Sequence, residues 1–158
     1  MGNIFSGSEI VEIGVQIEKN GLDFYSTLSR QSKSIKAREI FKYLAGEEEK
    51  HIEVFKKILS ALEKYQPAES YPGEYFAYMN ALASEYVFTK KDKGREIAKK
   101  IKSDSEAIDL GVRFEKDSII FYEGMKKAVP ENNLKTVDEL ISQEQNHLKQ
   151  LVELKNKL

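Results

Sequence analysis

One twelve-residue pattern occurs twice in this chain, and each copy is followed by a Glu-x-x-His pair. GVQIEKNGLDFY (14–25) and GVRFEKDSIIFY (111–122) are identical at six of twelve positions, at an offset of 97. Glu48 and His51 return as Glu144 and His147 at an offset of 96. Both segments carry the same polar residues at matching places, so whatever buries one set must bury the other. The chain reads as two similar helical hairpins sharing a core.

Helical periodicity marks four stretches. The expected spans are 8–30 with Ser8 as N-cap, and 34–65 ending ahead of Pro67. The third is 104–129, opening at Ser103 or Ser105 and closing before Pro130; the fourth is 132–157, opening at Asn132 or Asn133. The first stripe holds Ile10, Val11, Gly14, Ile17, Glu18, Leu22, Tyr25 and Leu28, and the fourth includes Leu140, Glu144, His147, Leu148 and Leu151. A structureless connection over 66–103 would be unusual. Within it GEYFAYMNALASEYVF has Tyr75, Met79, Leu82 and Tyr86 near helical spacing, while KKDKGREIAKKIKSD is basic and reads as solvated. Short links inside each hairpin and a long one between them specify an all-α four-helix bundle. A helix of about 30 residues is about 45 Å long, which such a crossover can retrace.

Composition narrows the chemistry. At 158 residues the chain fits one domain, 1–158, with enough length for a real core. It has 25 Lys and Arg against 26 Asp and Glu, a balance that gives no reason to expect nucleic acid or an anionic membrane as a partner. No apolar run is long enough to span a bilayer, and the N-terminus lacks the flank and core of a secretory signal. Gly2 with Ser6 matches a myristoylation pattern loose enough to arise by chance. A cytoplasmic location is expected. The absence of cysteine excludes disulfides, thiolate nucleophiles and cysteine-held metals, so any metal must be bound by oxygen and imidazole nitrogen.

Residues three apart share a helix face, so Glu48 with His51, and Glu144 with His147, point the same way. Leu44 and Phe55 flank the first pair, Leu140 and Leu151 the second, and Glu18 and Glu115 sit inside the stripes of their own helices. Four carboxylates in one core, with no inward Lys or Arg, would be strongly destabilising unless neutralised. Two divalent metals supply the opposite charge, and two neutral histidines complete the coordination. One Glu from each of two helices with Glu-x-x-His from each of the others is a two-metal carboxylate arrangement of helical bundles. The donor set suits iron or manganese and admits zinc or cobalt. Glu47 and Glu49 read as a solvated face. Tyr25 and Tyr122, two turns beyond Glu18 and Glu115, are expected chiefly to pack the core, with hydrogen bonding to the site or carrying an electron as the other readings. Gly21 and Ser118 either leave room beside the metals or allow close helix packing.

At IEKNGLDFY, GEEEKH, FEKDSIIFY and SQEQNH, in that order, the chain resembles the rubrerythrin-like members of the ferritin-like di-iron carboxylate superfamily, over about 8–154. The resemblance implies a ferritin-like bundle with two irons. Glu18 and Glu115 would be terminal or bridging ligands, Glu48 and Glu144 bridging or chelating, and His51 and His147 would each cap one metal. It further implies reaction with dioxygen or hydrogen peroxide, and a homodimer. Rubrerythrins proper carry a cysteine-ligated rubredoxin module and an additional glutamate near the third-helix ligand. Here there is no cysteine, and the positions one turn from Glu115 are Gly111, Val112, Ser118 and Ile119. The six-ligand set resembles other di-iron oxidases of the superfamily as much, and electrons are expected from a separate donor. The leading expectation is an oxidase or peroxidase. The alternatives are iron storage, hydroxylation of an organic substrate, or a purely structural bundle whose glutamates stay protonated.

Overall fold

The computed structural model describes residues 6–63 and 73–158. Its helices are α1 (Gly7–Gln31), α2 (Ile35–Glu63), α3 (Gly73–Glu85), α4 (Lys93–Lys100), α5 (Asp104–Met125) and α6 (Leu134–Lys157). The helix α1 packs along α2 and α5 along α6, while α1 also meets α5 and α2 meets α6. This closes a ferritin-like four-helix bundle from two hairpins, as the periodicity requires. The last residues of the expected second helix, 64 and 65, lie outside the described residues, as do Gly2 and the start of the crossover.

The helix starts follow capping chemistry. Ser6, not Ser8, caps α1: its Oγ accepts from the Glu9 backbone N–H at 3.3 Å. Both serines qualify as caps, but only Ser6 has a glutamate three residues on, the spacing of a capping box. Ser103 does the same for α5, accepting from the Glu106 N–H at 3.1 Å, and the Glu106 carboxylate accepts from the Lys102 N–H. The α-helix α5 ends at Met125 and tightens into a 3-10 turn over Lys126–Ala128. A second such turn, Glu131–Asn133, precedes α6, so the expected ends at 129 and 132 shift by a few residues. Proline at 130 cannot continue a helix, and both neighbouring turns tighten around it.

The crossover departs most from the sequence reading. It holds two helices, not one, and the basic segment is not simply solvated. Gly94 and Ala98 of α4 are buried against α1. Asn20 causes this. Its Nδ2 donates to the carbonyls of Phe88 (2.5 Å) and Lys90 (2.6 Å), and its Oδ1 accepts from the Gly94 N–H (3.0 Å). A Cβ on Gly94 would collide with the Asn20 backbone carbonyl, so only glycine permits this approach. The charges of α4 occupy its other face. At the far end Gln31 Nε2 donates to the Ala98 carbonyl, and the Asp104 carboxylate accepts from the N–H groups of Lys33 and Ser34. The crossover thus returns along α1 and delivers α5 beside the α1–α2 turn.

Of the residues expected to face inward, Ile10, Val11, Ile17, Tyr25 and Leu28 are buried, whereas Leu22 and Leu148 are only half-buried. Phe24 and Phe121 fill the core instead. Both belong to the Phe-Tyr pair of the repeat, which lies where the bundle is covered by the crossover as well as by its own helices.

Replacing Asn20 by Ala leaves two carbonyls and one N–H of the crossover unpartnered, and should lower stability by about 2–3 kcal/mol in urea unfolding. An unchanged midpoint would mean that apolar contact alone holds α4 in place.

Candidate metal centre

All six sequence-marked residues meet inside the bundle. Glu18 comes from α1, Glu48 and His51 from α2, Glu115 from α5, and Glu144 and His147 from α6; each is at most 2% exposed. The i, i+3 spacing turns each Glu and His of α2 and α6 to the same side. His51 Nδ1 lies 2.8 Å from Glu144 Oε1 and 3.5 Å from Glu18 Oε2. His147 Nδ1 lies 3.6 Å from Glu48 Oε1, 3.7 Å from Glu115 Oε1 and 3.8 Å from Glu144 Oε1. The two imidazoles stack with centroids 5.6 Å apart.

The donor atoms fall into two overlapping groups, Glu18–Glu48–His51–Glu144 and Glu48–Glu115–Glu144–His147. Within each group one ligand atom per residue lies within 4.8 Å of the others, a spacing able to hold a metal ion. Glu48 and Glu144 belong to both groups, so they alone are placed to bridge. Glu18 and Glu115 belong to one each, so of the roles the resemblance allows them, the terminal one fits the geometry.

Charge makes this arrangement costly without cations. Among the described residues the ion-pair partners of the four glutamates are the two histidines only. Apart from contacts with one another, both oxygens of Glu48 and of Glu144, Oε2 of Glu18 and of Glu115, and Nδ1 of both histidines are buried without a hydrogen-bond partner. Buried polar atoms are rarely left so, and here eight of them face one point. A pair of cations satisfies them together.

The metal-free chain must suppress its own charge. Burial, then the neighbouring carboxylates, raise Glu48 and Glu144 well above the ordinary carboxyl range. Burial pushes Glu115 up to about 7. Burial opposes charge on Glu18 too, but its contacts with Glu48 and His51 outweigh it and hold this carboxyl low. Burial likewise works against His51, yet Glu18 and Glu144 raise it to about 11. His147 is lowered, by burial first. One ion pair, Glu18 with His51, therefore sits among carboxyls that keep their protons.

The tyrosines of the repeat reach across it. Tyr25 donates to Glu115 Oε1 at 2.8 Å, and Tyr122 donates to Glu18 Oε1 at 2.6 Å. Each also packs in the core, so the packing and the hydrogen-bonding readings of these residues both hold. Burial, followed by the adjacent glutamates, raises both phenols, which keeps them donors. Gly21 serves close packing: a Cβ there would strike the Phe114 ring and crowd Glu48 Oε2. Ser118 is occupied as well, bonded to the Tyr86 hydroxyl at 2.9 Å. At Gly21 the Phe114 ring takes the space beside the centre.

Comparison with known proteins bears on the family and the fold. The Rubrerythrin family pattern matches residues 9–155. The chain belongs to the rubrerythrin family. Its fold is similar to a crystal structure from Thermotoga maritima, provisionally described as a ferritin-like diiron-carboxylate protein, with 26% identity and a TM-score of 0.73 over 99% of this chain and 98% of that one. No curated protein matches it by sequence at a significant level.

Two features of this rubrerythrin-family site escaped the sequence reading. Gln143 accepts at Oε1 from His51 Nε2, at 2.5 Å. Glu47 is not simply solvated, since it accepts from the Tyr43 hydroxyl (3.0 Å) and pairs with Lys50 (3.1 Å). Glu49 is exposed, as expected.

Two outcomes are expected. Above about pH 6.5 the unfolded chain has its carboxyls ionised, while the metal-free fold keeps protons on Glu48, Glu144 and part of Glu115. The fold binds more protons, so its stability must fall as pH rises: the melting temperature should drop from about pH 5 to about pH 7 as Glu115 loses its proton, and further above that through Glu48 and Glu144. His51, raised in the fold, acts in the same direction. A flat calorimetric profile would show that these carboxyls ionise freely. Separately, Glu48→Leu should stabilise the metal-free protein by about 1–4 kcal/mol and remove any rise in melting temperature on adding metal.

Proposed function

We propose that Glu18, Glu48, His51, Glu115, Glu144 and His147 hold two iron ions, and that the chain is an oxidoreductase reducing hydrogen peroxide or dioxygen. The supporting observation is the pair of overlapping donor groups, each with three carboxylates and one imidazole, whose inward atoms lack any other partner. Oxygen and imidazole donors suit iron, with manganese or zinc as the competing occupants. The Thermotoga relative, described as a diiron-carboxylate protein, points the same way.

When bound, a pair of ferrous ions supplies two electrons, which with two protons convert hydrogen peroxide into two waters. The protein residues prepare the place for that chemistry. Tyr25 and Tyr122 fix the orientation of Glu115 and Glu18 from the opposite hairpin. Phe55 lies against Tyr122, and Phe114 against Gly21, so aromatic rings wall the carboxylates. Exclusion of water strengthens each electrostatic contact inside that wall. Because the metal-free carboxyls hold protons, metal uptake releases them, and affinity must rise with pH.

The absence of cysteine leaves no rubredoxin-type centre in this chain, which supports electron delivery by a separate donor protein. No helix among the described residues is long and apolar enough to cross a membrane. By its resemblance to related bundles we further propose a cytoplasmic homodimer, with neither nucleic acid nor membrane as a partner.

Protein produced in iron-supplemented medium should contain roughly two irons per chain. The reduced form should change its near-ultraviolet absorption within one mixing of hydrogen peroxide, and should turn over with a reductant present. Failure to retain iron in any purified form would end this reading. Two bound irons inert to both oxidants would retain the centre and remove the enzyme.

A further inference from the structure

The two halves of the centre match in the residue types of their donors, three glutamates and one histidine each, and in the tyrosines behind them. Glu18 and His51 flank one side, Glu115 and His147 the other, and Glu48 and Glu144 are shared. Tyr122 holds Glu18 as Tyr25 holds Glu115. The match breaks at the residue preceding each shared glutamate. On α6 it is Gln143, whose Oε1 lies 2.5 Å from His51 Nε2. On α2, at the offset of 96 that relates Glu48 to Glu144, it is Glu47. Glu47 is held by Tyr43 and Lys50, and no side chain among the described residues hydrogen-bonds to His147 Nε2. The His147 ring meets the edge of Tyr43 there, with centroids 6.4 Å apart, and Glu47 acts on it through its charge without a hydrogen bond.

We propose that Gln143 is a positioning residue for His51 and makes the two metal positions unequal, the His51 position filling first. An amide oxygen only accepts, so it requires the proton on Nε2 and turns Nδ1 toward the carboxylates. A histidine whose outer nitrogen is held has its ring orientation settled before metal arrives, and loss of such a partner commonly weakens metal affinity about 10-fold to 100-fold. His147 lacks that restraint, so its ring must be ordered as the second ion binds. The proposal rests on the two-metal reading above, and the experiment separates the two.

Cobalt(II) binding to the whole chain, followed by calorimetry and by the visible bands of the bound ion, should resolve two steps in the unmodified protein. Gln143→Leu should weaken the tighter step by about 10-fold to 100-fold and bring the two constants together. Gln143→Glu keeps an acceptor at the same place and should restore the separation. In the metal-free protein, ring-nitrogen NMR should show a His51 Nε2 proton protected from exchange, a His147 proton that is not, and loss of the first in Gln143→Leu. Fewer than two cobalt ions bound by the unmodified chain would overturn the reading of the centre. Two equal sites, or a Gln143→Leu variant with unaltered constants and an unaltered His51 proton, would overturn the role of Gln143 while leaving the centre intact.

Discussion

Four carboxyl groups turned toward one another in a dry interior are the constraint on which this bundle is built. Every ordinary preference opposes it: burial disfavours the charges, and the charges disfavour each other. The surrounding residues manage that conflict. His51 pairs with Glu18, protons stay on Glu48 and Glu144, and two phenols donate into the cluster. A core designed only for stability would place leucine at these positions. Retaining glutamate costs the metal-free fold, and bound cations offset the cost.

Around this point the helices are placed by small residues and by one asparagine. Gly14 and Gly21 let Phe55 and Phe114 lie directly against α1, so aromatic rings take the space that side chains would have filled. Gly94 brings α4 onto the same helix from outside, where Asn20 binds its entry. The helix α1 is thus covered by α2, α5 and α4, which makes it the most enclosed element and the firmest support for Glu18.

Much of this could be read directly from the sequence. The repeat and the i, i+3 pairs located the six converging side chains because a helix converts spacing into direction. The four bundle helices followed from the same periodicity, and their pairing from the lengths of the links between them. The basic stretch of the crossover misled because charge dominates its composition, while the two residues that dock it, Gly94 and Ala98, are too small to register as apolar. Asn20 gave no signal, since its partners are backbone groups about 70 residues away. Gln143 was hidden for a related reason. It lies beside a ligand, but its contact crosses to the other hairpin, and spacing along one helix carries no information about that. Tyr25 and Tyr122 were visible as candidates because they repeat; only the folded chain shows that each serves the opposite half.

That exchange has a consequence for how the molecule holds together. The first hairpin contains Glu18, Glu48 and His51, yet its half of the centre needs Glu144 and the hydroxyl of Tyr122 from the second. The second hairpin borrows Glu48 and Tyr25 in return. Neither rod pair holds a full donor set, so occupancy of the centre and closure of the hairpins upon each other are coupled. A chain emptied of its ions would have less reason to keep its two halves shut.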